Sequence, residues 1–111
     1  MATEVERVVG MHPGVVECAV FALPDEKFGE AVCAVVVLEK AIGSALAEGA
    51  VIDEQWKERI RQHCAEHQLA GFKRPRRVFR LDVLPRNSSG KVLKHEIIRR
   101  CAALLKERSR L

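Results

Sequence analysis

Ala31-Val32-Cys33-Ala34-Val35-Val36-Val37-Leu38 is an unbroken apolar run of eight residues, four of them valine. A strand with one face in water would alternate apolar and polar side chains; this one does not, so both of its faces are to be buried. The run predicts a central strand with a layer on each side. Upstream, residues 15–23 read as a second strand, ending at Pro24-Asp25, and a hairpin-like step over 25–30 brings it back to the central one. Before it, Thr3-Glu4-Val5-Glu6 has capping-box spacing, with Thr3 as N-cap and Glu6 returning to its backbone. A short helix follows to about Met11 and stops ahead of His12-Pro13-Gly14.

Downstream, residues 41–51 contain Gly43 and Gly49 and read as a mobile connection. Asp53 is placed to cap a helix running to about His67, with Trp56, Ile60 and Cys64 on one face, and Gly71 is expected to end that unit. Residues 78–81 read as a short strand in which apolar positions alternate with Arg77 and Arg80, and residues 85–90 as a polar loop. Residues 94–108 form a last amphipathic helix on Ile97, Ile98, Cys101 and Leu105. The fold class is therefore α+β: one small domain, a mainly antiparallel sheet with helices packed on it.

At 111 residues and 12.4 kDa there is room for one core. A hydrophobic fraction of 48% beside 31% charge favours a folded chain over a disordered one. No apolar run reaches the roughly 18 residues of a membrane span, and no signal peptide is read at the start. The four cysteines, Cys18, Cys33, Cys64 and Cys101, contain no Cys-x-x-Cys pair. They are expected to be buried free thiols, which suits a reducing, cytoplasmic location. Aromatics make up only 5%, with no tyrosine, which argues against stacking platforms for single-stranded nucleic acid.

The charge is strongly divided. Residues 1–72 carry six Lys and Arg against twelve Asp and Glu; residues 73–111 carry thirteen against three. The basic third is expected to meet something anionic: nucleic acid, a phosphorylated cofactor or an acidic protein face. His63 and His67 are four apart on a helix, but Cys64 stands where a zinc protease needs glutamate and no third ligand is apparent. No metal site is expected, and the pair reads as a polar helix flank.

Leu84-Pro85-Arg86-Asn87-Ser88-Ser89-Gly90-Lys91 is the most informative segment for chemistry. Proline, small polar residues and glycine place Lys91 on an exposed, tightly turned loop between a strand and a helix. A phosphate loop of the Walker type would need glycine at position 85 and Ser or Thr at 92, where Pro85 and Val92 stand. Ser88-x-x-Lys91 matches the serine motif of penicillin-binding proteins in form only, because that motif sits on a helix and Gly90 opposes one.

The segment resembles the last signature of the adenylate-forming superfamily (acyl-CoA synthetases, luciferases, peptide-synthetase adenylation domains), Leu-Pro-(Arg/Lys)-x-(Ser/Thr/Ala)-x-Gly-Lys. The resemblance continues through Glu4-Val5-Glu6, His12-Pro13-Gly14-Val15, Pro24-Asp25-Glu26-Lys27-Phe28-Gly29-Glu30 and Phe72-Lys73-Arg74-Pro75, in the family's order and spacing. It implies the small, mobile C-terminal domain of such an enzyme, spanning 1–111. The large N-terminal domain and hinge would lie outside this chain, which alone would be inactive. Phe72-Lys73-Arg74-Pro75 looks like the acyl-CoA synthetase version.

The resemblance further implies that Lys91 is the catalytic lysine of adenylate formation, supported by Pro85, Ser89 and Gly90. It implies a CoA-binding set of Phe28, Gly29, Phe72, Lys73 and Arg74. ATP and CoA would be substrates, with Mg2+ accompanying ATP mainly on the large domain. Lys91 would also be a modification site for a lysine acetyltransferase. The alternatives left open are a luciferase or peptide-synthetase member of the same superfamily, and a stand-alone basic nucleic-acid-binding module.

Overall fold

In the computed structural model, which describes residues 2–40 and 51–109, the valine-rich run lies inside a four-stranded sheet. The elements are α1 (Ala2–Gly10), β1 (Val15–Asp25), β2 (Gly29–Leu38), β3 (Val51–Ile52), α2 (Glu54–Glu66), a 3-10 turn (Gly71–Lys73), β4 (Arg77–Arg80) and α3 (Lys94–Arg108). The strand order is β1-β2-β4-β3. β1 and β2 form a long antiparallel hairpin from Asp25↔Gly29 to Val15↔Leu38, with an irregularity between Val15 and Glu17. β3 and β4 are also antiparallel. β2 and β4 are parallel, from Cys33↔Arg77 to Val36↔Arg80. A parallel pair needs a long crossover, and the chain supplies it through α2.

The unbroken apolar character of β2 is explained by its two faces. Ala34, Val36 and Leu38 pack with Val5, Val9, Trp56, Ile60 and Cys64 of α1 and α2. Cys33, Val35 and Val37 pack with Phe79, Ile97 and Cys101, under α3. Both layers are dry: Val35, Val36, Ile60, Phe79, Ile97 and Cys101 are all fully buried. α2 starts where its capping residue predicts, with Asp53 Oδ1 accepting from Trp56 N–H at 2.9 Å. α3 has its predicted bounds.

Several local expectations are corrected. α1 begins at Ala2, so Thr3 lies within it rather than capping it. Glu6 does not return to the helix start; its Oε1 accepts from Val20 N–H at 2.9 Å and from Lys94 Nζ at 3.1 Å. Among the described residues β1 is an edge strand with no neighbour on its outer side, and the glutamate takes the place of a strand partner for Val20 N–H. β1 continues through Pro24, which an edge strand tolerates because no ladder bond is lost. Gly71 does not end α2: His67 caps it, Gln68 turns the chain at φ 57°, and Gly71 opens the 3-10 turn. Val51 belongs to β3, while the rest of the expected connection, 41–50, lies outside the described residues.

Cys33, Cys64 and Cys101 are buried free thiols, but Cys18 is only half-buried and donates to Glu6 O at 3.4 Å. Burial pushes the Cys33 thiol up to about 11 and the Cys101 thiol to about 12, far from the reactive thiolate range. His63 is not a polar flank. It is 8% exposed, and its Nε2 lies 2.6 Å from Val8 O, to which it donates, tying α2 to the end of α1. His67 instead bonds back to His63 O at 2.9 Å.

Candidate functional site

The 84–93 segment folds as a small hairpin ahead of α3. Arg86 and Val92 form an antiparallel bridge. Asn87 N–H donates to Lys91 O at 2.9 Å, and Leu93 N–H to Pro85 O at 2.8 Å. The turn is built on Asn87: its Oδ1 accepts from Ser89 N–H at 3.0 Å, Ser89 Oγ at 2.8 Å and Lys91 N–H at 2.9 Å. Gly90 closes it at φ +88°, a conformation other L residues adopt only with strain. Buried Leu84 anchors one foot of the hairpin, Pro85 follows half-buried, and Ile97 anchors the helix that receives the other foot.

Lys91 stands exposed at the top of this turn, and its ammonium makes no hydrogen bond or ion pair with any described residue. Two tethers fix the hairpin and the start of α3, one to β1 and one to α1. Arg86 Nη1 donates to Gly90 O at 2.8 Å while its Nη2 pairs with Glu17 of β1. Lys94, one turn on, is held by Glu6. Pro85, Ser89 and Gly90 lie in the same hairpin as Lys91, and the contacts that shape and tether it add Asn87, Arg86, Glu17 and Glu6, which the sequence reading had not placed there. The Asn87-x-Ser89 spacing is the Asx-turn signal that could have found Asn87. The two glutamates come from remote segments: Glu17 carried no local signal, and the capping-box spacing of Glu6 pointed to a different partner.

Of the second group of expected residues, Phe28 and Gly29 form the β1–β2 turn at the other end of the sheet, and Phe72, Lys73 and Arg74 lie in the segment that leads into β4. Asp25 Oδ1 accepts the N–H groups of Lys27 and Phe28 at 2.8 and 3.0 Å, closing the β1–β2 turn, with Gly29 at φ +78°. These bonds, with Phe28 first and Arg77 adding charge, hold the Asp25 carboxyl below its usual range. β4 starts alongside β2, so residues 72–76 arrive at the same end, and Arg76 N–H bonds Val32 O at 2.8 Å. Phe28 is 49% exposed and Phe72 is 68% exposed, so neither is core.

Arg76 was not among the expected residues, yet its guanidinium lies 3.7 Å over the Phe28 ring. Lys73 is not free: its ammonium pairs with Glu4 at 2.7 Å, which lowers the glutamate's pKa. Arg74 Nε donates to Leu69 O at 2.8 Å. Glu17, at the Lys91 end, and Asp25, at the Phe28 end, are eight residues apart on β1. At about 3.3 Å per residue the two groups are on the order of 26 Å apart.

The divided charge is partly resolved inside the molecule. Lys73–Glu4, Arg77–Asp25, Arg80–Asp53, Arg86–Glu17, Lys94–Glu6 and Arg108–Glu54 each join a basic residue of the last third to an acidic one of the first part. Six of the thirteen basic residues of the last third thus find an anionic partner in the chain's own first part. Among the described residues no three or more of His, Cys, Asp and Glu converge as a metal-holding group. No helix of the structure is long and apolar enough to cross a membrane.

A mixed sheet between helical layers, with a lysine hairpin at one end and an arginine–phenylalanine cluster at the other, is the architecture of a known enzyme domain. Residues 4–91 match the AMP-binding enzyme C-terminal domain, and the chain belongs to that family. It is 43% identical over 91 residues to a 4-chlorobenzoate–CoA ligase of Arthrobacter sp., a match covering 82% of this chain and 15% of that protein. Among solved structures it resembles a Mycobacterium tuberculosis fatty acyl CoA synthetase, with a TM-score of 0.68 at 36% identity over 86% of this chain and 16% of that one. The amide bond synthetase McbA of Marinactinospora thermotolerans is also similar, with a TM-score of 0.67 at 32% identity, covering 86% of this chain and 17% of that one. The chain therefore spans about a sixth of the length of such proteins.

Proposed function

We propose that this chain is the mobile C-terminal domain of an ATP-dependent acyl-CoA synthetase, working with a large N-terminal domain. The reaction would join a carboxylate to ATP, releasing pyrophosphate, and then pass the acyl group from the adenylate to CoA, releasing AMP. The observation that carries this reading is the placement of Lys91: an exposed ammonium with no described partner, on a preorganised hairpin far from the Phe28 cluster. Negative charge shifts as the carboxylate attacks the α-phosphate of ATP. A fixed cation there lowers the barrier without reorganising at the moment of reaction. Rotation of the domain would withdraw Lys91 and turn its other end, with Phe28, Gly29, Phe72 and Arg74, toward CoA.

Phosphates of CoA suit the arginines there through charge-assisted hydrogen bonds, and its adenine suits the exposed phenylalanines. Lys73 would contribute only on leaving Glu4. Mg2+ would arrive with ATP and be held mainly by the large domain. Acylation of Lys91 by a lysine acetyltransferase would remove the charge that the first step uses. A cytoplasmic setting fits the free thiols.

The test is Lys91→Ala in the enzyme carrying this domain. Adenylate formation, followed by pyrophosphate release, is expected to fall roughly 10²–10³-fold, the effect of losing one preorganised charge. Thioester formation from supplied acyl-adenylate should fall far less. Equal losses in both half-reactions would overturn the two-ended reading. The likeness to McbA favours a second reading, in which the acyl group goes to an amine; supplying CoA and amines in parallel separates the two.

A further inference from the structure

The link between the 3-10 turn and β4 contains two carbonyls that neither element uses. Lys73 N–H donates to Ala70 O and Arg74 N–H to Gly71 O, while Arg76 N–H donates to Val32 O. Arg74 O and Pro75 O fall between them, where Arg74 is extended and half-buried and Pro75 fully buried, and no backbone N–H among the described residues reaches them. Both are taken by one side chain: Arg61 Nη1 donates to Arg74 O at 3.3 Å and to Pro75 O at 2.9 Å. Arg61 follows fully buried Ile60 on α2, a helix fixed by the Asp53 cap and by Trp56 and Cys64 in the core. Its guanidinium borders an open groove of about 230 Å³, lined by Lys57, Glu58, Arg61 and Arg76.

From this geometry we infer that Arg61 is a positioning residue for CoA, an assignment that rests on the CoA reading of this end. Arg61 transmits the rigidity of α2 to the backbone from Phe72 to Arg77. Arg74, which leans back on Leu69 O, and Arg76, which lies over Phe28, are both carried on that backbone. Fixing it before the ligand arrives removes part of the ordering that binding would otherwise require. Without Arg61 the two carbonyls must turn to water, and the cluster that meets the ligand loses its fixed spacing. Lysine is only a partial replacement, since one flexible ammonium lacks the planar guanidinium's fixed donor directions.

The test is an amide NMR titration of the 111-residue chain with CoA, run on wild type, Arg61→Ala, Arg61→Lys, Arg74→Ala and Gln62→Ala, with a melting curve for each. In wild type, CoA should shift the amides of residues 28–29, 72–74 and 76 with a dissociation constant of about 1 mM. Arg61→Ala should weaken this about tenfold and speed hydrogen exchange at Arg76, with melting close to wild type. Arg61→Lys should weaken it about threefold, and Gln62→Ala, one residue along α2, should change nothing. Arg61→Ala binding as wild type while Arg74→Ala loses binding would overturn the role of Arg61 and leave the CoA reading standing. Absence of any CoA shift at 72–74 and 76 in wild type would bring down the CoA reading and this assignment together. Should Arg61→Ala fail to fold, Arg61→Lys decides: weakened binding at native melting supports the inference, and wild-type binding overturns it.

Discussion

Gly90 and Gly71 allow a test in which only the sign of one backbone angle differs. An added Cβ meets no atom within 4 Å at either position, so neither alanine would clash. Gly90 stands at φ +88°, whereas Gly71 lies outside the left-handed range. Holding alanine left-handed costs about 1–2 kcal/mol. Alanine also restricts the unfolded chain, which offsets about 0.4–1 kcal/mol in both variants. Gly90→Ala should therefore lose about 1 kcal/mol, while Gly71→Ala should gain about 0.4–1 kcal/mol.

For a domain of this size each kcal/mol moves the melting temperature by about 4–8 °C. The assay is calorimetry on the two variants and on Gly90→Asn, which should fall between Gly90→Ala and wild type because asparagine tolerates the left-handed region. The strain at Gly90→Ala acts on the turn whose third bond from Asn87 Oδ1 fixes the Lys91 backbone. Adenylate formation should fall in the same variant, while Gly71→Ala leaves it intact. Gly90→Ala melting at or above wild type, or Gly71→Ala as damaging as Gly90→Ala, would refute the reasoning.

Two more outcomes follow from particular contacts. Asp53→Ala removes the α2 cap and the charge 3.2 Å from Arg80 Nε, a group paired by proximity but not aligned for a hydrogen bond. It should cost about 2 kcal/mol, the upper end for an N-cap, in urea denaturation, with Asp53→Asn recovering the capping part; a loss under about 0.5 kcal/mol would discount the pair. His12 sits against His63 and Arg59 and accepts Gly14 N–H on Nδ1 at 3.0 Å. Burial first, then the charges of His63 and Arg59, lower its pKa from the usual 6.5. The unfolded chain therefore takes up this proton first, so the contribution of neutral His12 is complete above pH 6.5 and is lost as pH falls through the depressed value. Melting curves from pH 7.5 to 5 should show the decline, reduced in His12→Asn; a stability that rises on acidification would contradict it.

The sequence by itself determined the elements and the chemistry-bearing loop. An eight-residue run without alternation required cover on both faces, and β2 has it. Asp53 and the apolar spacing of Trp56, Ile60 and Cys64 marked α2, and the proline–glycine punctuation around Lys91 marked an exposed turn. These are local signals, readable because capping, periodicity and turn chemistry act over a few residues. Local signals also misled at Thr3, where the helix starts one residue earlier and the expected capping glutamate instead accepts from Val20 N–H on the edge strand β1.

Only the tertiary structure decided which remote groups meet. The parallel pairing of β2 with β4 carries residues 72–76 to the Phe28 turn and leaves Lys91 at the opposite end, a separation no spacing along the chain records. The same folding turned a divided charge pattern into six ion pairs between the two parts of the chain. It also brought Arg61 to two carbonyls thirteen and fourteen residues away. Such contacts depend on the three-dimensional path of the backbone, because a half-buried polar group takes whichever partner the packed layers place beside it.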